Sequence, residues 1–380
     1  MKTHHACIPG LHGVSRILMA AALSATALLW GTASWAQDGV SKTAIVIGQS
    51  VALTGPAAPL GAPFARGAKL FFDRLNAGGG VNGRKVELVT LDDAGNPATT
   101  LANTQKLLAQ GVFSLFGYYG SPQVTAAYPA IKDTDVLLFA PMAAADEFRG
   151  AVYPNIYSLR AGYSEEATAI MRHAETLGAL KLAILYAADG ESLAALDASE
   201  RTMQGRANLV AKAPIGDVSK ALAGLPESVL VIADPRAAAV AIRDLRVKGF
   251  RGPIYGYSNT GESLLADQLG AAGAGVVVVR VVPRSDNLKL AVVRDLHADM
   301  VEAKLGKSNV YMLEGYIAAR VYTEALRRIP KEPTRAKLRK AIDGLDEVSV
   351  GGFRVHFVQD RVASKLVELS LVDSQGRIRE

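Results

Sequence analysis

Ala44-Ile-Val-Ile-Gly-Gln-Ser-Val-Ala-Leu-Thr-Gly-Pro56, and after it Gly67-Ala-Lys-Leu-Phe-Phe-Asp-Arg-Leu-Asn-Ala-Gly-Gly-Gly-Val-Asn-Gly-Arg84, decide the fold. Residues 44–50 form a short run rich in β-branched side chains, the composition of a buried strand. Over 61–77 apolar residues recur at helical spacing, with Phe64, Ala68, Phe71, Phe72 and Leu75 on one side. Gly78-Gly-Gly80 stops that helix, and Val81-Asn-Gly83 turns the chain into a second strand over 85–91. Strand, amphipathic helix, strand is the signature of a parallel pair joined by a crossover helix.

The rhythm persists along the chain. Further strands are expected at 112–116, 136–139, 182–186, 229–233, 254–257 and 276–282, with helices at 98–110, 122–132, 236–248 and 313–328. One compact open sheet does not hold so many units, so the expected class is α/β, with two doubly wound, Rossmann-like lobes. No Ser/Gly-rich linker separates them, which points to several short connections rather than one tether.

The first 36 residues carry a different message. Lys2 and Arg16 precede an apolar run over 17–30, and Ser34 and Ala36 stand at the −3 and −1 positions before polar Gln37-Asp38. This is the pattern of a secretory signal peptide cut near Ala36. The run is shorter than the roughly 20 residues a membrane-spanning helix needs. Cys7 is the only cysteine and would leave with that segment, so a mature chain has neither disulfide nor thiolate metal ligand. Without Lys2 and Arg16 the formal charge falls from +6 to +4, spread along the chain, which argues against nucleic acid as a partner.

Catalysis finds little support. His173, His297 and His356 lack metal-ligand spacing, and no nucleophile elbow, phosphate loop or dinucleotide fingerprint occurs, so no metal and no cofactor is expected. Asp92-Asp93, at a strand end, reads as a turn and capping device rather than a carboxylate pair. Open α/β sheets bind ligands beyond the carboxyl ends of their strands. The best such place is Phe116-Gly-Tyr-Tyr-Gly-Ser-Pro122, where Tyr118 and Ser121 are the candidate contacts and the amides ahead of a helix suit an anion. Ser121 would fit equally as a simple cap of that helix.

The two opening blocks, with Leu91-Asp-Asp93 and Glu314-Gly-Tyr316, resemble the type I periplasmic binding proteins, in the branch that serves ABC importers of branched-chain amino acids. The resemblance implies two lobes crossed three times by the chain, lobe 1 over 43–159 and 286–346 and lobe 2 over 160–285 and 347–380. It implies a periplasmic, monomeric protein that closes on a solute and presents it to an inner-membrane permease. Relatives hold an amino acid at the turn Phe139-Ala-Pro-Met-Ala-Ala-Ala-Asp146 with a carbonyl and a hydroxyl; here the hydroxyl is missing, leaving backbone groups of Ala143 and Ala145. Tyr163 stands where the chain would enter lobe 2, to stack on a ligand or to pack at the hinge. Ser258, after Tyr257, replaces the carboxylate that pairs the ligand's ammonium, Asp234 offers a substitute charge, and Leu60 replaces a large aromatic. These departures favour a small organic acid over an α-amino acid, with a branched-chain amino acid as the alternative. A ligand-sensing module for a receptor is the rival from another class, and a secreted hydrolase the third.

Overall fold

The computed structural model describes residues 37–357 and 360–379, with Met1 and Lys2. The expected signal segment, its cut near Ala36 and Cys7 lie outside the described residues. Five strands, β1 (Ala44–Val51), β2 (Lys85–Asp92), β3 (Leu115–Phe116), β4 (Leu138–Phe139) and β5 (Ile156–Tyr157), form one parallel sheet in the order β2-β1-β3-β4-β5. A seven-stranded sheet follows. Its parallel part orders β7 (Asn208–Pro214), β6 (Lys181–Tyr186), β8 (Ser228–Ile232), β9 (Ile254–Gly256) and β10 (Val276–Arg280) in the same sense. Both sheets therefore reverse direction beside their first strand, and each has a switch point there.

Between strands run helices α1 (Ala58–Ala77), α2 (Pro97–Ala109), α3 (Ser121–Ala127), α4 (Tyr163–Leu177), α5 (Gly190–Met203), α6 (Val218–Ala223), α7 (Pro235–Val247) and α8 (Glu262–Leu269). Three more, α9 (Ala291–Glu302), α10 (Val310–Arg327) and α11 (Arg335–Asp343), follow the last parallel strand. Helix α1 begins three residues before the expected start because Pro59 fits its first turn. Strands β3 and β4 pair over two residues each, less than their apolar runs suggested; Val112, Phe113, Val136 and Leu137 are buried just ahead of them, Phe113 N–H donating to the Val46 carbonyl and the Leu137 carbonyl accepting from Leu115 N–H. Strand β7 escapes the pattern reading because it is an edge strand, mostly exposed, containing Lys212 and Pro214. No helix among the described residues is long and apolar enough to cross a membrane.

Helix α10 lies against α1 at very short range. A Cβ on Gly67 would meet the Met312 carbonyl oxygen at 1.9 Å, and one on Gly315 the Phe64 carbonyl oxygen at 2.0 Å. Backbones this close let Phe71 meet Tyr316 edge to face at 5.2 Å, and Phe116 packs between Phe72, Phe139 and Tyr322. The chain's end is shared out. The hairpin β11 (Val348–Val350) and β12 (Phe353–Val355) buries Val350, Phe353 and Val355 in this first core. Strands β13 (Glu368–Val372) and β14 (Ile378–Arg379) instead complete the second sheet, β13 antiparallel to β10.

Candidate functional site

A cavity of about 330 Å³ opens at the carboxyl ends of the strands, where both switch points meet. The segment running from β1 into α1 brings Pro56, Ala57 and Leu60; that running from β3 into α3 brings Tyr119, Gly120, Pro122 and Gln123. From the second sheet come Asp189, Gly190, Glu191 and Ser192 after β6, Asp234 after β8 and Asn259 after β9. Of the residues expected from sequence, Leu60 and Asp234 line the cavity directly. Asp234 also caps α7 by accepting from the amides of Arg236 and Ala237.

Other expected residues lie elsewhere. Tyr118 is fully buried in the core and shares a 2.9 Å hydrogen bond with Thr104, so its neighbour Tyr119 is the tyrosine that faces the cavity. Ala143 packs in that same core. Tyr257 is buried against Ser199 at 2.6 Å, its ring edge to face with Tyr163. Burial pushes the phenols of Tyr118, Tyr163 and Tyr257 upward, and all three stay neutral.

The anion-friendly amides are engaged from within the protein. The Ser121 amide and hydroxyl both donate to Glu191, the hydroxyl at 3.1 Å, and the Tyr163 hydroxyl donates to the same carboxylate. The Ala145 amide donates to Ser121 Oγ at 3.2 Å. Burial raises the Glu191 carboxyl above its usual range, while Tyr163, Ser121 and Arg160 oppose the shift. Ser121, Ala145 and Tyr163, separate candidates in the sequence, are brought together here; Glu191, the acceptor of Ser121 and Tyr163, was not among those candidates.

Ser258 faces a second buried network. Its amide and hydroxyl each donate to Glu166 at 2.8 Å, and the Arg160 guanidinium donates to Ser258 Oγ. Glu166 thus supplies a carboxylate beside the position where Ser258 lacks one. Arg160 lies 3.5 Å from Glu166 and 3.6 Å from Glu314, all three buried. Burial alone would depress the guanidinium, but Glu314 and Glu166 outweigh it and hold it above its ordinary value. Burial lifts the Glu166 carboxyl to about 7 against Arg160 and the Ser258 bonds, and Glu314 is pushed the same way by burial. A proton held more tightly in the folded than the unfolded chain gives stability below the ordinary carboxyl value that is lost as pH rises through about 7. Glu166→Gln is expected to remove up to about 3 kcal/mol of the stability difference between roughly pH 5 and pH 8, measured by urea unfolding. An unchanged pH profile would refute this account.

The remaining candidates are structural. Asp92 accepts from Leu53, Thr54 and Ala94, and Asp93 from Ser50, Gly95 and Thr100, as a turn and capping pair does. His173 bonds Tyr255 and His297 the Ser285 carbonyl. His356 is exposed beside Asp346 and Glu347.

A family profile described as "periplasmic binding protein" matches residues 44–375. The chain is 31% identical over 125 residues to the leucine-, isoleucine-, valine-, threonine- and alanine-binding protein of Pseudomonas aeruginosa, a match spanning 33% of this chain and 34% of that protein's length. It is 27% identical over 293 residues to the leucine-specific-binding protein of Salmonella typhimurium, covering 73% and 77% of the two chains. A crystal structure of a substrate-binding periplasmic protein from Ralstonia solanacearum superposes with a TM-score of 0.81 at 26% identity, covering 88% of this chain and 99% of that one.

Proposed function

The chain belongs to the periplasmic binding protein family, and from that footing we propose that it captures a small, largely apolar solute bearing an amino group and delivers it to an ABC permease in the inner membrane. The single observation that carries the reading is the cavity built from the strand ends of both sheets, at the switch points where open α/β sheets bind ligands. On this reading the two lobes hinge shut over the solute in the periplasm, closure is the working step, and the protein acts as a monomer without catalysis. We put the third crossing, on this reading, between Ala363, packed in the first core, and Val367, packed against the second, later in the chain than the 346–347 boundary the resemblance implied.

The chemistry of the lining sets the solute class, and it reverses the preference drawn from sequence. Asp189, Glu191 and Asp234 line the cavity, and no lysine or arginine does so among the described residues. Asn259 Oδ1 is buried and, among the described residues, meets no donor. Acceptors outnumber donors, so a solute that brings N–H donors and positive charge is favoured over one that brings a carboxylate. Pro56, Ala57, Leu60, Pro97 and Tyr119 provide the apolar wall. The relatives named for amino acids share only the amino group of this class; the carboxylate of such a ligand is what the lining here disfavours.

Thermal shift with three probes of one carbon skeleton tests it: leucine, isopentylamine and 4-methylpentanoate. A ligand at a hundred times its Kd adds ~2.7 kcal/mol of stability. The amine is expected to raise the melting temperature by several degrees and the acid to leave it unchanged. Stronger stabilisation by the acid would reject the proposed class.

A further inference from the structure

Glu191 lines the cavity beside Ser121 and Tyr163. Its carboxylate stands at the cavity wall and takes three donors, the Ser121 amide, the Ser121 hydroxyl and the Tyr163 hydroxyl, which a solute carboxylate would need at this place. The contact joins the two sheets' loops, since Ser121 follows β3 and Glu191 follows β6. Gly190 permits it: a Cβ there would meet Pro122 Cγ at 2.7 Å.

The surrounding charges leave no room for a second anion. Arg160 is a cation whose charge acts on Glu191, and it is shared between Glu166 and Glu314. Arg149 is engaged by the carbonyls of Ala144, Ala145 and Arg160. Asp189 and Asp234, which also line the cavity, add further negative field.

We propose that Glu191 is a resident carboxylate, an internal counterpart of a solute's carboxylate that fills this subsite and excludes solutes bringing their own. The proposal rests on reading the cavity as the solute site. It narrows the solute class to molecules whose end near Ser121 is neutral or cationic, and it makes Glu191 the residue whose loss creates an acid-binding site. The Ser121 and Tyr163 donors, freed from Glu191, then face a space the size of a carboxylate.

Acetate is the probe, because it carries the carboxylate and almost nothing else. Calorimetry and thermal shift are run on the wild type, Glu191→Ala and Glu191→Ser, the serine variant keeping a polar side chain should the alanine variant fail to fold. Acetate is expected to stabilise either variant and to bind it at least tenfold more tightly than the wild type. Equal binding to wild type and variant overturns the proposal, and so does the absence of any acetate effect on the variants. Isopentylamine, run on the wild type alongside, separates the two readings. If it does not bind while acetate rescues the variants, the assignment of Glu191 stands and the amino-bearing class falls.

Discussion

Gly315→Ala is expected to lower stability by about 3 kcal/mol, with the urea midpoint reduced and the slope of the transition unchanged. Alanine is the better helix former, and on an open helix face the change would add about 1 kcal/mol. Here the added methyl would lie 2.0 Å from the Phe64 carbonyl oxygen and 3.1 Å from the Ala68 amide nitrogen. Both are backbone atoms of α1 and have no rotamer to retreat into, so the helices must separate. Separation loosens the aromatic layer of Phe71 and Tyr316 beneath them. Gly306→Ala is the control, because nothing lies within 4 Å of its added carbon, and its effect should stay within about 0.5 kcal/mol. A midpoint for Gly315→Ala at or above the wild type would show that this helix contact is not tight.

Arg160→Met is expected to cost about 3–5 kcal/mol near neutral pH, because it leaves Glu166 and Glu314 buried without their cation. The deficit should shrink as pH falls, since protonation removes the charges that the arginine neutralised. The triple variant Arg160→Met, Glu166→Gln, Glu314→Gln should recover most of the loss, since no uncompensated charge remains. Thermal unfolding of the three proteins at acid and neutral pH measures all of this. A pH-independent deficit for the single variant would mean that Arg160 acts through packing alone.

The fold was legible because its signals are local. The apolar run of β1 and the 3.6-residue period of α1 sit within 34 residues of each other on the chain, and each is complete in itself. The site was legible only in outline. Strand ends and glycines pointed to Ser121, but which of Tyr118 and Tyr119 turns to the cavity depends on the register of β3, a strand too short to show its own alternation. Ser258 and Asn259 pose the same question at the end of β9, and there again the neighbour faces the cavity. Glu191 was out of reach for a different reason. Its partners stand 70 and 28 residues away, and nothing in its own loop marks it as an acceptor. Arg160, too, gains its meaning only when Glu166, Ser258 and Glu314 converge on it.

The shared-out end of the chain has a kinetic consequence. The first core closes when α10 reaches α1, some 250 residues earlier, and the second sheet is completed only when β13 settles on β10 across about 90 residues. Neither half finishes from contiguous sequence, so folding must await the last part of the chain, and the long closures slow it. A chain emerging from its N-terminus first keeps the face of α1 that meets α10, and the edge of β10 that meets β13, uncovered until its final segments arrive. Such a chain stays loose for most of its emergence and becomes rigid late.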